Sequence, residues 1–534
     1  MAGLASPLII SAAALLYPPV LRPRAPSPLA CAGSARELVD ACAEDQECNV
    51  GQAAYEIKET LRQQQVLSVP RLRHVTDWLD VEPLPTHYQG GCLTDIETLQ
   101  EEECVVPEPE NNVFVDDSSV VLKEVALRAD AKALDGMTAY HAAGPREEVF
   151  FAGEEVKAAI VTCGGLCPGL NTVVKELVNC LRSQYGVDEV YGIKNGYMGF
   201  YSKEYLKLTQ ADVSTIHRQG GSVLGSSRGG HDTDKICDAI EKAGINLVFT
   251  IGGDGTMKGS DALAMEFIRR QSKVVVAHVP KTIDNDIPLL DSTFGFGTAV
   301  QEATKAIHVA RDEAVAYPDG VGLVNLMGRH SGFIAAHASI AARGVDCCLV
   351  PEVPFELEGE GGLLRYIESR IAKQGHCVVV VAEGAGQELL AAKESGVDAS
   401  GNAKMGEIGR FLKTTIGAHF KAKGRDASVK YVDPSYMVRA TPASAADNIL
   451  CLQLAHDAVH GAFAGYTSFM AGRVNNRGVY IPLGVATGRN VIQPGGNFWQ
   501  QLVYATGQPN WGATEAKAND GGSRSGADEV VMGY

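Results

Sequence analysis

From Phe151 onward, short apolar runs alternate with glycine turns and amphipathic stretches. Val156-Lys157-Ala158-Ala159-Ile160-Val161-Thr162 reads as a buried strand. It runs into Cys163-Gly164-Gly165-Leu166-Cys167-Pro168-Gly169-Leu170-Asn171, and then into a stretch with Val174, Leu177, Val178 and Leu181 on one helical face. The same alternation predicts strands at 190–193, 246–251, 273–278, 322–326, 346–350 and 377–382, with a helix at 232–243 and others between. Such βαβ succession predicts an α/β fold with two Rossmann-like lobes, mainly parallel sheets, a cleft between them and an N-terminal extension. Ligands then belong at the C-terminal ends of the strands, where the glycine turns lie.

Composition narrows this picture. A chain of 534 residues is too long for one ordinary core and fits two or three domains. The net charge of −17 argues against nucleic acid as a partner, because a phosphate backbone needs a basic face. No apolar run reaches about 18 residues, so no membrane span is expected. The 13 cysteines are odd in number and contain no CxxC pair, which suggests neither a zinc site nor a secreted disulfide framework. Residues 1–35 are rich in Ala, Ser, Leu and Pro, carry Arg22 and Arg24, and contain no acid. That composition predicts an organelle transit peptide and a plastid stromal protein. A secretory reading of the apolar run 7–16 lacks a basic n-region, and a cytoplasmic location is the alternative. Residues 36–150 read as a partly helical, acidic arm, with short helices at 35–42 and 53–61 and an acidic run at 95–117. Cys42, Cys48, Cys92 and Cys104 lie in this arm, where a reversible thiol switch competes with plain surface and packing cysteines.

Candidate chemistry begins at Ile251-Gly252-Gly253-Asp254-Gly255-Thr256, after an apolar run and before a helix-forming stretch. Glycines let backbone N–H groups at a helix N-terminus approach a polyanion. Asp254 has reason to face phosphates only with a divalent cation between them, which points to Mg²⁺. An ordinary capping turn explains this stretch alone equally well. The second patch, Pro280-Lys281-Thr282-Ile283-Asp284-Asn285-Asp286, also follows a strand. Two carboxylates two residues apart can divide labour, one as base and the other orienting water, metal or a cation. Met327-Gly328-Arg329-His330-Ser331-Gly332, Pro351-Glu352-Val353-Pro354-Phe355, Glu383-Gly384-Ala385-Gly386 and Tyr436-Met437-Val438-Arg439 lie at or near expected strand ends. Arg329 and Arg439 offer guanidinium forks for a phosphate.

With these motifs in this order, the chain from about Val156 to Gln508 resembles the phosphofructokinases, the plant ATP-dependent 6-phosphofructokinases in particular. The resemblance implies an ATP-binding lobe from 151–295 with about 440–505, and a fructose 6-phosphate-binding lobe from 296–439 with the C-terminal tail. It implies Mg²⁺-dependent phosphorylation of fructose 6-phosphate to fructose 1,6-bisphosphate in glycolysis, with ATP as donor. Gly165, Arg228, Gly229, Gly253, Asp254, Gly255 and Thr256 match the ATP-phosphate contacts, Asp254 also being the Mg²⁺-associated carboxylate. Thr282, Ile283 and Asp284 match the segment around the reacting hydroxyl, with Asp284 as proton acceptor. Met327, Gly328, Arg329, Glu383, Tyr436, Met437, Val438 and Arg439 match the sugar-phosphate contacts. A homo-oligomer, typically a tetramer, and allosteric control are implied as well. Lys175 stands where bacterial relatives carry an effector-binding arginine.

Departures from the bacterial pattern bear on these expectations. Gly320 replaces an arginine supplied across a subunit boundary, Tyr436 replaces histidine and Lys430 replaces another arginine. Donor choice rests on Gly255, where pyrophosphate-dependent members carry Asp that would oppose the ATP α-phosphate. Lys281 points the other way, since pyrophosphate enzymes share it, but Gly255 acts by exclusion and weighs more. Three rivals remain: a pyrophosphate-dependent enzyme, a non-catalytic regulatory subunit of the same fold, and a lipid or NAD kinase. The last shares GGDG but lacks the other patches.

Overall fold

The computed structural model describes residues 67–86, 88, 114–123, 137–390 and 405–511. The expected transit segment, the helices expected at 35–42 and 53–61, the acidic run up to 113 and Cys42, Cys48, Cys92 and Cys104 lie outside the described residues. Of the unit formed by 1–69 and 126–139, Leu67 and Ser68 pair in parallel with Met137 and Thr138. The remaining description concerns the unit of 70–125 and 140–534.

The first sheet takes strands β1 (Met137–Ala142), β2 (Lys157–Thr162), β3 (Glu189–Ile193), β4 (Tyr205–Lys207), β5 (Leu247–Gly252) and β6 (Val275–Pro280). Helices α1 (Leu170–Asn179), α2 (Thr233–Ala243) and α3 (Asp254–Arg269) connect them. Helix α4 (Phe296–Val315) then leads to a second sheet of β7 (Gly320–Leu326), β8 (Cys347–Leu349), β9 (His376–Ala382) and β10 (Ser428–Val432). Helices α5 (Phe333–Ala342), α6 (Leu363–Gln374) and α7 (Ile408–Ala422) cover it. After the short α8 (Ser435–Arg439), α9 (Ala445–Phe463) returns the chain to the first sheet, which β11 (Phe469–Val474) and β12 (Arg477–Pro482) complete. Helix α10 (Asn497–Thr506) follows and packs on α5.

From β1 the first sheet has the order β1-β12-β11-β6-β5-β2-β3-β4, parallel from β11 through β3, with the β1–β12, β12–β11 and β3–β4 pairs antiparallel. The second has the order β8-β9-β7-β10 and is parallel throughout. Alternating side chains explain the layering. Ala159, Val161, Val248 and Val276 pack toward α2 and α3, whereas Ile160, Phe249, Val275 and Ala277 pack toward α1 and α9. In the second sheet, Leu323, Val379 and Val381 face α6 and α7, whereas Val324, Val380 and Ala382 face α4 and α5. With both faces covered, central strands need continuous apolar runs, which the sequence supplies.

Several boundaries differ from expectation for identifiable reasons. Strand β6 runs on to Pro280 because His278 is buried rather than terminal, with its Nδ1 2.8 Å from Thr250 Oγ1. Asp232 is the cap of α2 rather than its first residue, accepting from Lys235 N at 3.2 Å. The β11–β12 hairpin was not anticipated. Its turn uses Asn475 and Asn476 at φ 50° and 59°, the left-handed pair that two-residue hairpins require. The sheet also begins before Phe151, since His141 and Ala142 of β1 pair with Tyr480 and Val479.

Candidate active site

Strands β5 and β6 are adjacent and parallel, with Gly252 opposite Pro280, so the two chemistry-bearing stretches leave the sheet side by side. At the tip of β5 the chain enters α3 at Asp254, one residue after Gly253. Glycine is required at 252, because a Cβ there would lie 2.2 Å from Thr256 Oγ1. Thr256 is buried behind the turn, and its carbonyl accepts from Tyr197 Oη at 2.9 Å and Ser260 Oγ at 2.8 Å. Asp254 is half exposed at the helix N-terminus, bonded to Lys258 Nζ at 2.9 Å. A Cβ on Gly255 would meet nothing within 4 Å, so that position faces open space.

The loop after β6 is tied from several sides. Lys281 is buried, which pushes its ammonium pKa down, and Nζ donates to the Gly165 carbonyl at 2.7 Å. This lysine fastens the glycine turn after β2 to the loop after β6. Thr282 Oγ1 donates to Asp286 Oδ1 at 2.9 Å and accepts from Asp284 N at 3.2 Å. Asn285 sits in the left-handed region at φ 56°, a conformation Asn tolerates, and its Oδ1 accepts from Thr293 N at 2.9 Å. Ser331 Oγ donates to the Asp284 carbonyl at 3.3 Å, and Asn490 N donates to the Asp286 carbonyl at 2.8 Å.

Asp284 is the unusual member. Its Oδ1 is shut off from solvent and accepts no hydrogen bond. Burial, then the charges of Asp286 and Glu383, raise its pKa to about 7, while Arg329 and Arg489 pull the other way. A buried acceptor without a donor is costly, so it persists where a ligand supplies the donor.

A cavity of about 640 Å³ joins these parts. Its walls include Gly165, Arg228, Gly253, Asp254, Thr282, Ile283, Met327 and Arg439 from the sequence-based set, with Lys281 and Asp286. Its charged lining is five basic residues (Arg228, Lys258, Lys281, Arg439, Arg489) against three acidic ones (Asp254, Asp261, Asp286). In a chain of net charge −17, that local excess of cations suits an anionic ligand. A neighbouring cavity of about 480 Å³ shares Gly165, Arg228 and Arg439.

The rest of the expected set surrounds this space without lining the larger cavity. Gly328 holds φ 135°, and Gly384 N donates to its carbonyl at 3.0 Å. Arg329 Nε lies 3.5 Å from Glu383 Oε1, whose pKa is nevertheless raised, burial being the larger effect. Val438 is fully buried, whereas Tyr436 and Met437 are 75% and 68% exposed. The Arg439 guanidinium lies 4.9 Å from the Tyr436 ring centre. Gly229, at φ 77°, shapes the turn beside Arg228. Gly320 has no room for the arginine expected from bacterial relatives, since even a Cβ would lie 1.9 Å from the Ala314 carbonyl oxygen. Lys175 Nζ donates to the Ser214 carbonyl at 2.8 Å and stands 3.3 Å from His217 Nδ1.

Sequence reasoning missed Arg489, Thr487 and Lys258 on the cavity wall. Thr487-Gly488-Arg489, with Gly488 at φ 88°, is a Gly-Arg turn like Gly328-Arg329, which was the available signal. One backbone contact is directly testable. A Cβ at 384 would stand 2.0 Å from the Arg329 carbonyl oxygen. Gly384→Ala is expected to displace the 327–329 turn and lower stability by about 1–3 kcal/mol in urea unfolding, as overpacking does.

Comparison with known proteins bears on the family and the fold. The phosphofructokinase family model matches residues 157–462. The chain is 49% identical to ATP-dependent 6-phosphofructokinase 1 of Arabidopsis thaliana, covering 74% of this chain and 84% of that protein. It is 48% identical to the chloroplastic ATP-dependent 6-phosphofructokinase 4 of the same plant, covering 74% and 76%. Among solved structures, the pyrophosphate-dependent phosphofructokinase of Nitrosospira multiformis superposes with a TM-score of 0.54 at 22% identity, covering 64% of this chain and 86% of that one. At that identity the structural likeness speaks to fold alone. On its sequence, its fold and the order of its motifs, the chain belongs to the phosphofructokinase family.

Proposed function

We propose that this protein transfers the γ-phosphoryl group of ATP to the 1-hydroxyl of fructose 6-phosphate, with Asp284 as general base. The observation that carries the reading is the Asp284 carboxyl itself. Its Oδ1 is buried and unpartnered, and its pKa is raised to about 7, on a loop whose neighbours line the cavity at the start of α3. A base poised near neutral pH can hold the hydroxyl as acceptor and take its proton as the new P–O bond forms.

Phosphoryl transfer needs placement and charge neutralisation more than covalent chemistry. Gly165, Gly253 and the first N–H groups of α3 are set to receive the triphosphate. Arg228 on the cavity wall meets charge developing on the transferred group. Arg329 and Arg439 take the 6-phosphate, and Glu383 accepts from sugar hydroxyls, so that the 1-hydroxyl is aimed at Asp284. Asp254 fits an Mg²⁺ site, being a half-exposed oxygen donor on an open cavity with space for the waters Mg²⁺ retains. When bound, the ion neutralises phosphate charge. In this reading the lobe of 151–295 with about 440–505 holds ATP, and that of 296–439 with the C-terminal tail holds the sugar. A plastid stromal location is the accompanying assignment, supported by the composition of residues 1–35 and by the chloroplastic relatives, and a homotetramer is the assembly the family resemblance implies. Import of a full-length fusion into isolated chloroplasts, with shortening of the chain, tests the location.

Donor choice is tested by steady-state rates on fructose 6-phosphate with ATP and with pyrophosphate. Turnover with ATP and little with pyrophosphate is expected, and the reverse sinks the assignment. The open space at Gly255 makes Gly255→Asp sterically tolerable, so its effect is electrostatic. That substitution is expected to lower kcat/KM for ATP by about 10²-fold or more, with KM for fructose 6-phosphate little changed.

A further inference from the structure

Away from this cavity, helices α1 and α9 lie side by side and run in the same direction. Thr172 Oγ1 bonds Asn448 Oδ1 at 2.6 Å near their starts, and Glu176 Oε2 stands 3.8 Å from His456 Nε2 further along. At the far end, one ligand atom from each of Cys180, His456 and His460 lies within 4.8 Å of the others. Among the described residues this is the one group of metal-ligating side chains that converges so closely. With Glu176, which stands 3.8 Å from His456, the residues form two i,i+4 pairs, Glu176 with Cys180 and His456 with His460, each on one helix face across a shared seam.

We propose that Cys180, His456, His460 and Glu176 form a binding site for a divalent metal ion of the zinc class, which fastens α1 to α9. Four features support it. His456 Nε2 is shut off from solvent and has no hydrogen-bond partner, an orphaned donor or acceptor facing Glu176. Ligand atoms on tetrahedral Zn²⁺, at bond lengths of about 2.0–2.3 Å, stand about 3.3–3.8 Å apart, so small side-chain rotations suffice to close the site. His460 Nδ1 lies 2.7 Å from Tyr185 Oη, an outer hydrogen bond of the kind that orients a ligating imidazole. The helix also widens into a π turn at Cys180–Gln184, a local distortion that accompanies functional sites.

Charge and chemistry fit the ion. A thiolate and a carboxylate with two neutral imidazoles balance a dication, so the buried site carries no net charge. Thiolate and imidazole together favour zinc over magnesium or calcium. Binding releases the Cys180 proton to solvent, since the thiol that now donates to Gln184 Oε1 at 3.3 Å must ionise. The side chain of His456 is 23% exposed, which gives the ion a way in. The expectation of no zinc site rested on the absence of CxxC spacing. The two halves of the group lie about half the chain apart in sequence, and only folding assembles them.

The test uses the full chain, stripped of metal and titrated with Co²⁺. Wild type is expected to show tetrahedral d–d bands in the visible and a thiolate-to-cobalt charge-transfer band, both lost on adding Zn²⁺. Cys180→Ser removes the charge-transfer band. His456→Gln, at a partly exposed position, weakens binding at least tenfold. Zn²⁺ raises the Tm of wild type and leaves that of His456→Gln unchanged. A wild type without the charge-transfer band, or one whose band survives in Cys180→Ser, overturns the proposal.

Discussion

Asp284→Asn is expected to lower kcat with ATP and fructose 6-phosphate by a factor on the order of 10²–10⁴, which is the usual worth of a positioned general base. Through 1.36 kcal/mol per tenfold, that is about 3–5 kcal/mol of barrier. KM for both substrates should change little, because the amide retains the shape and one acceptor oxygen. The same substitution should make the folded chain more resistant to urea above neutral pH. The sign follows from linkage. Folding raises the carboxyl pKa from 3.8 to about 7, so the folded state holds the proton more tightly than the unfolded one. Stability is therefore lost as pH climbs from about 4 through 7, by at most about 4 kcal/mol, and the neutral amide avoids that loss. A merely structural aspartate would lose stability on substitution. A base held in a strained environment gains it while losing turnover.

The second large effect is expected at Arg228. It lines both cavities, and Gly165 lies so close that a Cβ there would be 3.8 Å from its Nη2. Arg228→Ala should cost roughly 10²–10³ in kcat, about 2.7–4 kcal/mol, as removal of one donor to transition-state charge does. Arg228→Lys should recover only part of this, because an ammonium lacks the planar fork that meets two phosphoryl oxygens. If the role were ground-state binding of ATP instead, KM for ATP would rise with kcat unchanged, so measuring both parameters separates the two.

What could be read from the sequence follows how local each signal is. The GGDG and PKTIDND stretches announce themselves because strand, turn and helix start are contiguous, and their register follows from neighbouring parallel strands. Buried strands were visible as apolar runs, and the run falters where a polar residue is buried, as at His278, whose Nδ1 bonds Thr250. Arg489 had only its Gly-Arg turn as a local signal, with no strand-turn-helix motif around it. It enters the site only when the chain returns after the β11–β12 hairpin. Asp254 and Asp284 were assigned from their motifs, yet only the fold shows that one is half exposed and the other shut away. The Cys180–His456–His460 group was invisible for the same reason as Arg489. Its halves lie on helices remote in sequence and adjacent in space.

The measurement that bears most directly on Asp284 as the base is the pH dependence of kcat/KM for fructose 6-phosphate, in wild type and in Asp284→Asn. The substrate phosphates titrate in both, near pH 6, and the variant records that contribution alone. Wild type should show one further ionisation centred near pH 7, with activity lost as the carboxylate takes up its proton on the acid side. Two parallel profiles, or a variant that keeps the wild-type rate, would contradict the account.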